Sequence, residues 1–229
     1  MKNVIIACDY SSKKELLDFL NLMSGEKPYL KIGMELFYKE GSELIKDLKA
    51  KGYKIFLDLK LHDIPNTIYK TMKNIAALDV EMTNVHAAGG IKMMEAAKKA
   101  LDEVGSKTLL IAVTQLTSIS EEILKNELLI TTSMNETIKR YAINAKKAGL
   151  DGVVCSALEA PMINDLGLIS VTPGIRNFLE NNDDQLRVTT PKMAKELGST
   201  FIVVGRSITQ SNNPINAYQN CLKEFLYEN

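Results

Sequence analysis

The chain has 229 residues, 45% of them hydrophobic and 24% charged, enough to enclose the core of one α/β barrel, so residues 1–229 are expected to form a single domain. Lysine plus arginine equals aspartate plus glutamate at 28 each, which excludes a global field for nucleic acid or an anionic membrane and leaves room only for a focused anion site. Cys8, Cys155 and Cys221 are odd in number, far apart and without CxxC spacing, which argues against a disulfide framework or a zinc site and fits a reducing cytoplasm.

The first apolar run, residues 4–8, is stopped by Asp9 and is too short for a signal-peptide core. No later stretch approaches the ~20 apolar residues that span a bilayer. Similar β-rich runs follow at 29–32, 55–59, 82–86, 109–113, 152–155, 168–172 and 201–204. Helical spacing fills the intervals at 13–22, 42–50, 68–77, 91–101, 136–148, 192–197 and 215–225, several of them preceded by Ser, Asn or Pro. The first five runs start about 25 to 27 residues apart, which suits a strand plus a crossover helix. Eight such units predict a (β/α)8 TIM barrel. Residues 116–134 are longer than one connection needs, so an extra helix is expected near 120–128. In the seventh unit residues 177–187 are polar and acidic and read as a mobile loop.

In such barrels the site lies at the carboxyl ends of the strands, and phosphate commonly binds after strands seven and eight. Those ends carry Asp9, Lys31, Asp58 with Lys60, His86, Thr117 slightly beyond the fifth strand, Ser156, Thr172 with Pro173, and Gly205 with Arg206. Each has an ordinary explanation alone: Asp9 as a helix cap, Lys31 as a snorkelling edge residue, His86 as a hydrogen-bonded structural histidine. Together they converge on one mouth. Strand alternation puts Asp58 and Lys60 on one face, with Leu57, Leu59 and Leu61 on the other. Lys31 sits in the apolar context Pro-Tyr-Leu-Lys-Ile-Gly-Met, where a bare ammonium is costly, so Asp9 or Asp58 is expected beside it. Gly205 lets a ligand approach the backbone and Arg206 offers a planar fork for phosphate oxygens, which predicts a phosphate ester. No GxGxxG, Walker loop or HExxH accompanies them, so side chains must do the chemistry.

Six ordered blocks carry a family likeness: Lys-Ile-Gly-Met-Glu-Leu-Phe at 31–37, Asp-Leu-Lys-Leu-His-Asp-Ile-Pro-Asn-Thr at 58–67, Val-His-Ala-Ala-Gly-Gly at 85–90, Thr-Pro-Gly-Ile-Arg at 172–176, Asp-Asp-Gln at 183–185 and Val-Gly-Arg-Ser-Ile at 204–208. The sequence resembles the bacterial-type orotidine 5′-phosphate decarboxylases over essentially its whole length. The resemblance implies conversion of orotidine 5′-monophosphate to uridine 5′-monophosphate and carbon dioxide, in pyrimidine biosynthesis, with no metal or organic cofactor. It makes Lys60 the carbanion stabiliser and proton donor to C6, and sets Asp58 against the substrate carboxylate with Lys31 and Lys60 flanking it. It gives ribose contacts to Asp9 and Lys31, and brings Asp63 from the neighbouring subunit of a homodimer. Thr67 and Thr117 are expected on the nucleotide, Pro173 beside the base, and Arg176, Gln185, Gly205 and Arg206 on the phosphate, with the loop from Asn177 closing over it. His86 is expected in a structural or supporting role. In the first strand Ala-Cys-Asp-Tyr stands where leucine and phenylalanine are commoner beside the aspartate, and Asp9 itself is kept.

Two other readings differ in what they require. A keto-gulonate phosphate type decarboxylase on the same barrel works with magnesium and an enediolate. A non-catalytic phosphate-ligand binder would have no turnover to lose at Lys60. Asp-Ile-Pro-Asn-Thr and the Gln185 loop separate the first of these from the family the sequence resembles.

Overall fold

A short run that is apolar on both faces has to be covered on both faces, which favours parallel pairing through crossover helices. The structure, a computed structural model describing residues 2–23, 25–176 and 188–227, follows that rule. Strands β1 (Asn3–Ala7), β2 (Tyr29–Gly33), β3 (Lys54–Leu61), β4 (Met82–His86), β5 (Leu109–Val113), β6 (Gly152–Val154), β7 (Ile169–Ile175) and β8 (Phe201–Val204) form a closed barrel in chain order. Every pairing is parallel, and Val4 opposite Ile202 joins the first strand to the last. This is the eightfold α/β barrel that the periodicity predicts.

The helices are α1 (Lys13–Leu22), α2 (Met34–Ala50), α3 (Pro65–Ala76), α4 (Ile91–Glu103), α5 (Glu121–Asn126), α6 (Met134–Lys147), α7 (Ala160–Asp165), α8 (Pro191–Glu196), α9 (Arg206–Thr209) and α10 (Pro214–Leu226). Their starts carry local signals. The Ser12 hydroxyl accepts from the Glu15 amide, Ser133 and Glu136 cap each other's backbone, and proline opens α3, α8 and α10. The extra helix expected near 120–128 is α5, capped by Ser120.

The core has two shells. Inside the barrel, Ile5, Tyr29, Phe56, Met82, Ile111 and Phe201 form one cluster. Outside it, the opposite strand faces pack against the helices, with Ile6, Leu57 and Val85 among the strand residues and Leu16, Leu48 and Met72 among the helical ones. Phe56 is only 2% exposed at the centre of the inner shell, so its truncation to alanine is expected to cost about 3–5 kcal/mol.

Several boundaries differ from the sequence reading, three of them for a visible reason. Helix α2 starts at Met34 rather than 42 and bends at Gly41, whose φ of 72° only glycine adopts cheaply. Its first part leaves Met34 and Tyr38 exposed, which hides the usual apolar stripe. Helix α7, at six residues, is too short to show a period. Strand β7 continues through Pro173 and Gly174 to Ile175, with an irregular register against β8 that accommodates the proline.

Candidate active site

Above the inner apolar cluster the barrel opens into a cavity of about 630 Å³ at the carboxyl ends of the strands. That volume suits a nucleotide-sized ligand. Asp9, Lys31, Asp58 and Lys60 line it together. So do Thr117 and Pro173, and so do Arg176, Gly205 and Arg206.

The charged residues arrive by register. Lys31 lies opposite Ala7 on β1, and Asp58 on β3 lies opposite Gly33 on β2, which steps the side chains around the mouth. Lys31 Nζ donates to Asp9 Oδ1 at 2.9 Å and stands 3.4 Å from Asp58 Oδ2. Lys60 Nζ donates to the other oxygen, Asp58 Oδ1, at 2.8 Å. Both carboxylates expected near Lys31 are therefore there, and one aspartate bridges two ammonium groups. Alternation alone does not produce this geometry. Leu57 pairs with Thr83 and the next paired residue, Leu61, faces Val85, so β3 advances four residues while β4 advances two. Lys60 lies inside that bulge at φ 49°, a left-handed conformation that a lysine enters at a cost of about 1–2 kcal/mol.

Asn84 fills the gap on the β4 side. Fully buried, it accepts from the Lys60 amide at 2.8 Å through Oδ1 and donates to Asp58 Oδ1 at 2.7 Å through Nδ2. The sequence reading passed over this residue. A signal was available: Met82, Asn84 and His86 share one face of β4, and a polar residue on the inward face of a buried strand needs a partner.

Burial alone would force the Lys31 ammonium toward neutrality, but Asp58 and Asp9 more than offset it and hold its pKa above the ordinary lysine value. Burial likewise acts to raise the Asp58 carboxyl, and Lys31, Lys60 and the Asn84 amide outweigh it, leaving Asp58 below the usual carboxylate range. Lys31 and Asp58 are thus each held in the charged form by their neighbours. His86 is lowered, first by burial and then by His62, whose ring centre is 5.7 Å away, and by Lys60, so it stays neutral beside the array.

Other expected site residues lie elsewhere. Asp63 and Thr67 are exposed and do not line this cavity, and the Asp63 carboxylate accepts from the Ile64 amide. Thr172 is fully buried and donates to the Phe201 carbonyl at 2.9 Å, so it ties β7 to β8. Gln185 and residues 177–187 lie outside the described residues. The described residues on either side are joined where Arg176 N donates to the Thr189 carbonyl and Thr189 N to the Gly174 carbonyl. The thiol of Cys8, between the array and the outer core, is pushed up to about 12 by burial and stays protonated.

The model of the orotidine 5′-phosphate decarboxylase / HUMPS family matches residues 2–221. An orotidine 5′-phosphate decarboxylase of Bacillus cytotoxicus is 52% identical over 225 residues, covering 95% of this chain and 94% of its own. One from Bacillus cereus strain Q1 is 51% identical over the same share of each chain. Among solved structures, orotidine 5′-phosphate decarboxylase from Lactobacillus acidophilus superposes with a TM-score of 0.89 at 43% identity, over 99% of this chain and 100% of that one. The chain belongs to the orotidine 5′-phosphate decarboxylase / HUMPS family.

Proposed function

We propose that this chain decarboxylates orotidine 5′-monophosphate to uridine 5′-monophosphate in pyrimidine biosynthesis, using its own side chains without metal or organic cofactor. The observation that carries the reading is the hydrogen-bonded Asp9–Lys31–Asp58–Lys60 array in the mouth of the barrel. In the proposed reaction the bond between C6 and the carboxylate carbon breaks, carbon dioxide leaves, and the electron pair remains on C6. Lys60 Nζ stabilises that carbanion and then gives it a proton. Asp58 lies against the leaving carboxylate and fixes both ammonium groups. Asp9 and Lys31 hold ribose hydroxyls, Thr117 and Pro173 border the base, and Arg176, Gly205, Arg206 and Gln185 hold the phosphate.

The second copy in a homodimer supplies Asp63. Support comes from the exposure of the 62–67 segment outside its own cavity, with Ile64 67% exposed beside Asp63 and Tyr38 72% exposed on α2. Thr67 sits on the same segment and reaches the nucleotide across the same interface. The proposed setting is cytoplasmic, which suits Cys8, Cys155 and Cys221, all buried and outside any disulfide. No helix among the described residues is long and apolar enough to cross a membrane.

The direct test mixes purified protein with orotidine 5′-monophosphate, no metal added, and follows the ultraviolet loss of the orotate chromophore. Complete conversion that survives a chelator is expected. An unchanged spectrum over a long incubation, or activity abolished by chelation, would overturn the proposal.

A further inference from the structure

We propose that Asn84 is the positioning residue that sets the Lys60 ammonium, by clamping the β3 bulge from the neighbouring strand; the inference rests on the decarboxylase reading above. The bulge leaves the Lys60 amide without a ladder partner on β4, because the register passes from Leu57 opposite Thr83 to Leu61 opposite Val85. The Asn84 Oδ1 takes that amide at 2.8 Å, replacing the lost backbone bond. The other end of the same side chain, Nδ2, holds Asp58 Oδ1 at 2.7 Å, the same oxygen that receives Lys60 Nζ at 2.8 Å. One amide therefore fixes both the backbone and the counter-ion of the residue proposed to donate the proton.

Few side chains satisfy both demands. The position is 0% exposed, so water does not substitute for a missing partner. A leucine matches the shape but leaves the Lys60 amide and one Asp58 lone pair unpaired. An aspartate keeps the acceptor for the amide but turns the donor into a second carboxylate against Asp58. Glutamine is one methylene too long for a filled site. Lys60 at φ 49° also needs an anchor, since without one the backbone relaxes toward the ordinary extended conformation and carries the ammonium with it. A displacement of about 1 Å at a reacting group costs on the order of 10²-fold in rate.

The test compares kcat, KM and pH profiles of the wild-type enzyme, Asn84→Leu and Asn84→Asp with orotidine 5′-monophosphate, alongside thermal melting. In Asn84→Leu kcat is expected to fall about 10²-fold with KM within about threefold, because Asn84 does not line the cavity and the phosphate grip is untouched. In Asn84→Asp activity is expected to be low at neutral pH and to recover partly as pH falls, because a proton shared with Asp58 restores the missing donor. Lys31 and Lys60 contact Asp58 directly, Asp9 bonds Lys31, and His86, beside His62, feels the Asp58 charge, so the comparison is with the wild-type profile. That recovery is a signature that a purely structural role does not give, and it remains readable if Asn84→Leu fails to fold. Wild-type turnover with Asn84→Leu kcat within twofold, or with an Asn84→Asp profile superimposable on the wild type, would overturn the assignment. Absence of turnover in the wild type would overturn the decarboxylase reading itself.

Discussion

Replacing Lys60 by alanine removes the group proposed both to stabilise the carbanion and to protonate it. A general acid is worth about 10²–10⁴-fold. One preorganised electrostatic partner is worth about 10²–10³-fold. Together they put the loss at about 10⁴–10⁷-fold in kcat, or about 5–10 kcal/mol of barrier. The cost to stability is much smaller. Asp58 keeps Lys31 at 3.4 Å and the Asn84 amide at 2.7 Å, and the Lys60 side chain is already 28% exposed. We therefore expect about 1–2 kcal/mol, below the 3–5 kcal/mol of a buried pair left with a bare charge. Lys60→Gly is the control. It relieves the strain of φ 49° and should be more stable than Lys60→Ala by about 1 kcal/mol while equally inactive. Stopped-flow single turnovers give the chemical step, calorimetric titration with uridine 5′-monophosphate gives binding, and thermal melting gives stability. A folded Lys60→Ala enzyme that binds product and turns over within tenfold of the wild type would refute the proposed role of the ammonium.

Mixing inactive Lys60→Ala chains with inactive Asp63→Ala chains should restore up to about a quarter of wild-type activity at equal amounts, since random pairing makes half the dimers hybrid and each hybrid has one intact site. No recovery despite demonstrated subunit exchange would rule out the shared site. Arg206→Ala should raise KM for the nucleotide by at least about tenfold while leaving the reaction of unphosphorylated orotidine unchanged, because only the phosphate contact is lost; equal losses on both substrates would place Arg206 elsewhere in the chemistry. The array also sets a pH window for stability. Asp58, lowered on folding, stabilises above its unfolded value of about 3.9, and the gain is lost as pH falls through its lower folded value. Lys31, raised on folding, stabilises below its unfolded value of about 10.4, and that gain is lost as pH rises through its higher folded value. Asp58→Asn should therefore flatten the acid side of a denaturant-midpoint profile, and an unchanged acid slope would show that Asp58 is not held as described.

The barrel was legible because its strands are covered on both faces, so each appears in sequence as a compact apolar run between polar helix starts. What escaped notice had no such contrast. The first part of α2 exposes Met34 and Tyr38, and α7 spans under two turns. Lys31, Asp58 and Lys60 were legible as a group because charge on an inward strand position is rare without a partner or a task. Their geometry was not, because alternation and a bulge both place Asp58 and Lys60 in the mouth, and only the register against β4 distinguishes them. Asn84 is the residue that the distinction makes necessary. Asp63 and Thr67 were identified through the family motif alone, and in one chain they are exposed and do not line the cavity.

The contacts that fix the array are made within the protein itself, and this bears on how the proposed reaction gains rate. Asp9, Lys31, Asp58 and Lys60 sum to zero charge when ionised, so an incoming carboxylate adds one negative charge to a neutral group of side chains already fixed by 2.7–3.4 Å contacts. On the proposed placement that charge is least comfortable where it enters, against Asp58, whose own carboxylate is held in the charged form by two ammonium groups and an amide. In the proposed reaction the negative charge leaves the carboxylate as the carbon–carbon bond breaks and gathers on C6, away from Asp58 and toward Lys60. The field of the array therefore favours the charge distribution of the transition state over that of the bound substrate, and only such a difference raises kcat. A lysine free to swing on an extended strand would have to reorganise as the charge moved. Held by its bulge, by Asp58 and by the Asn84 amide, Lys60 does not, and the cost of orienting it is met during folding by the barrel that surrounds it.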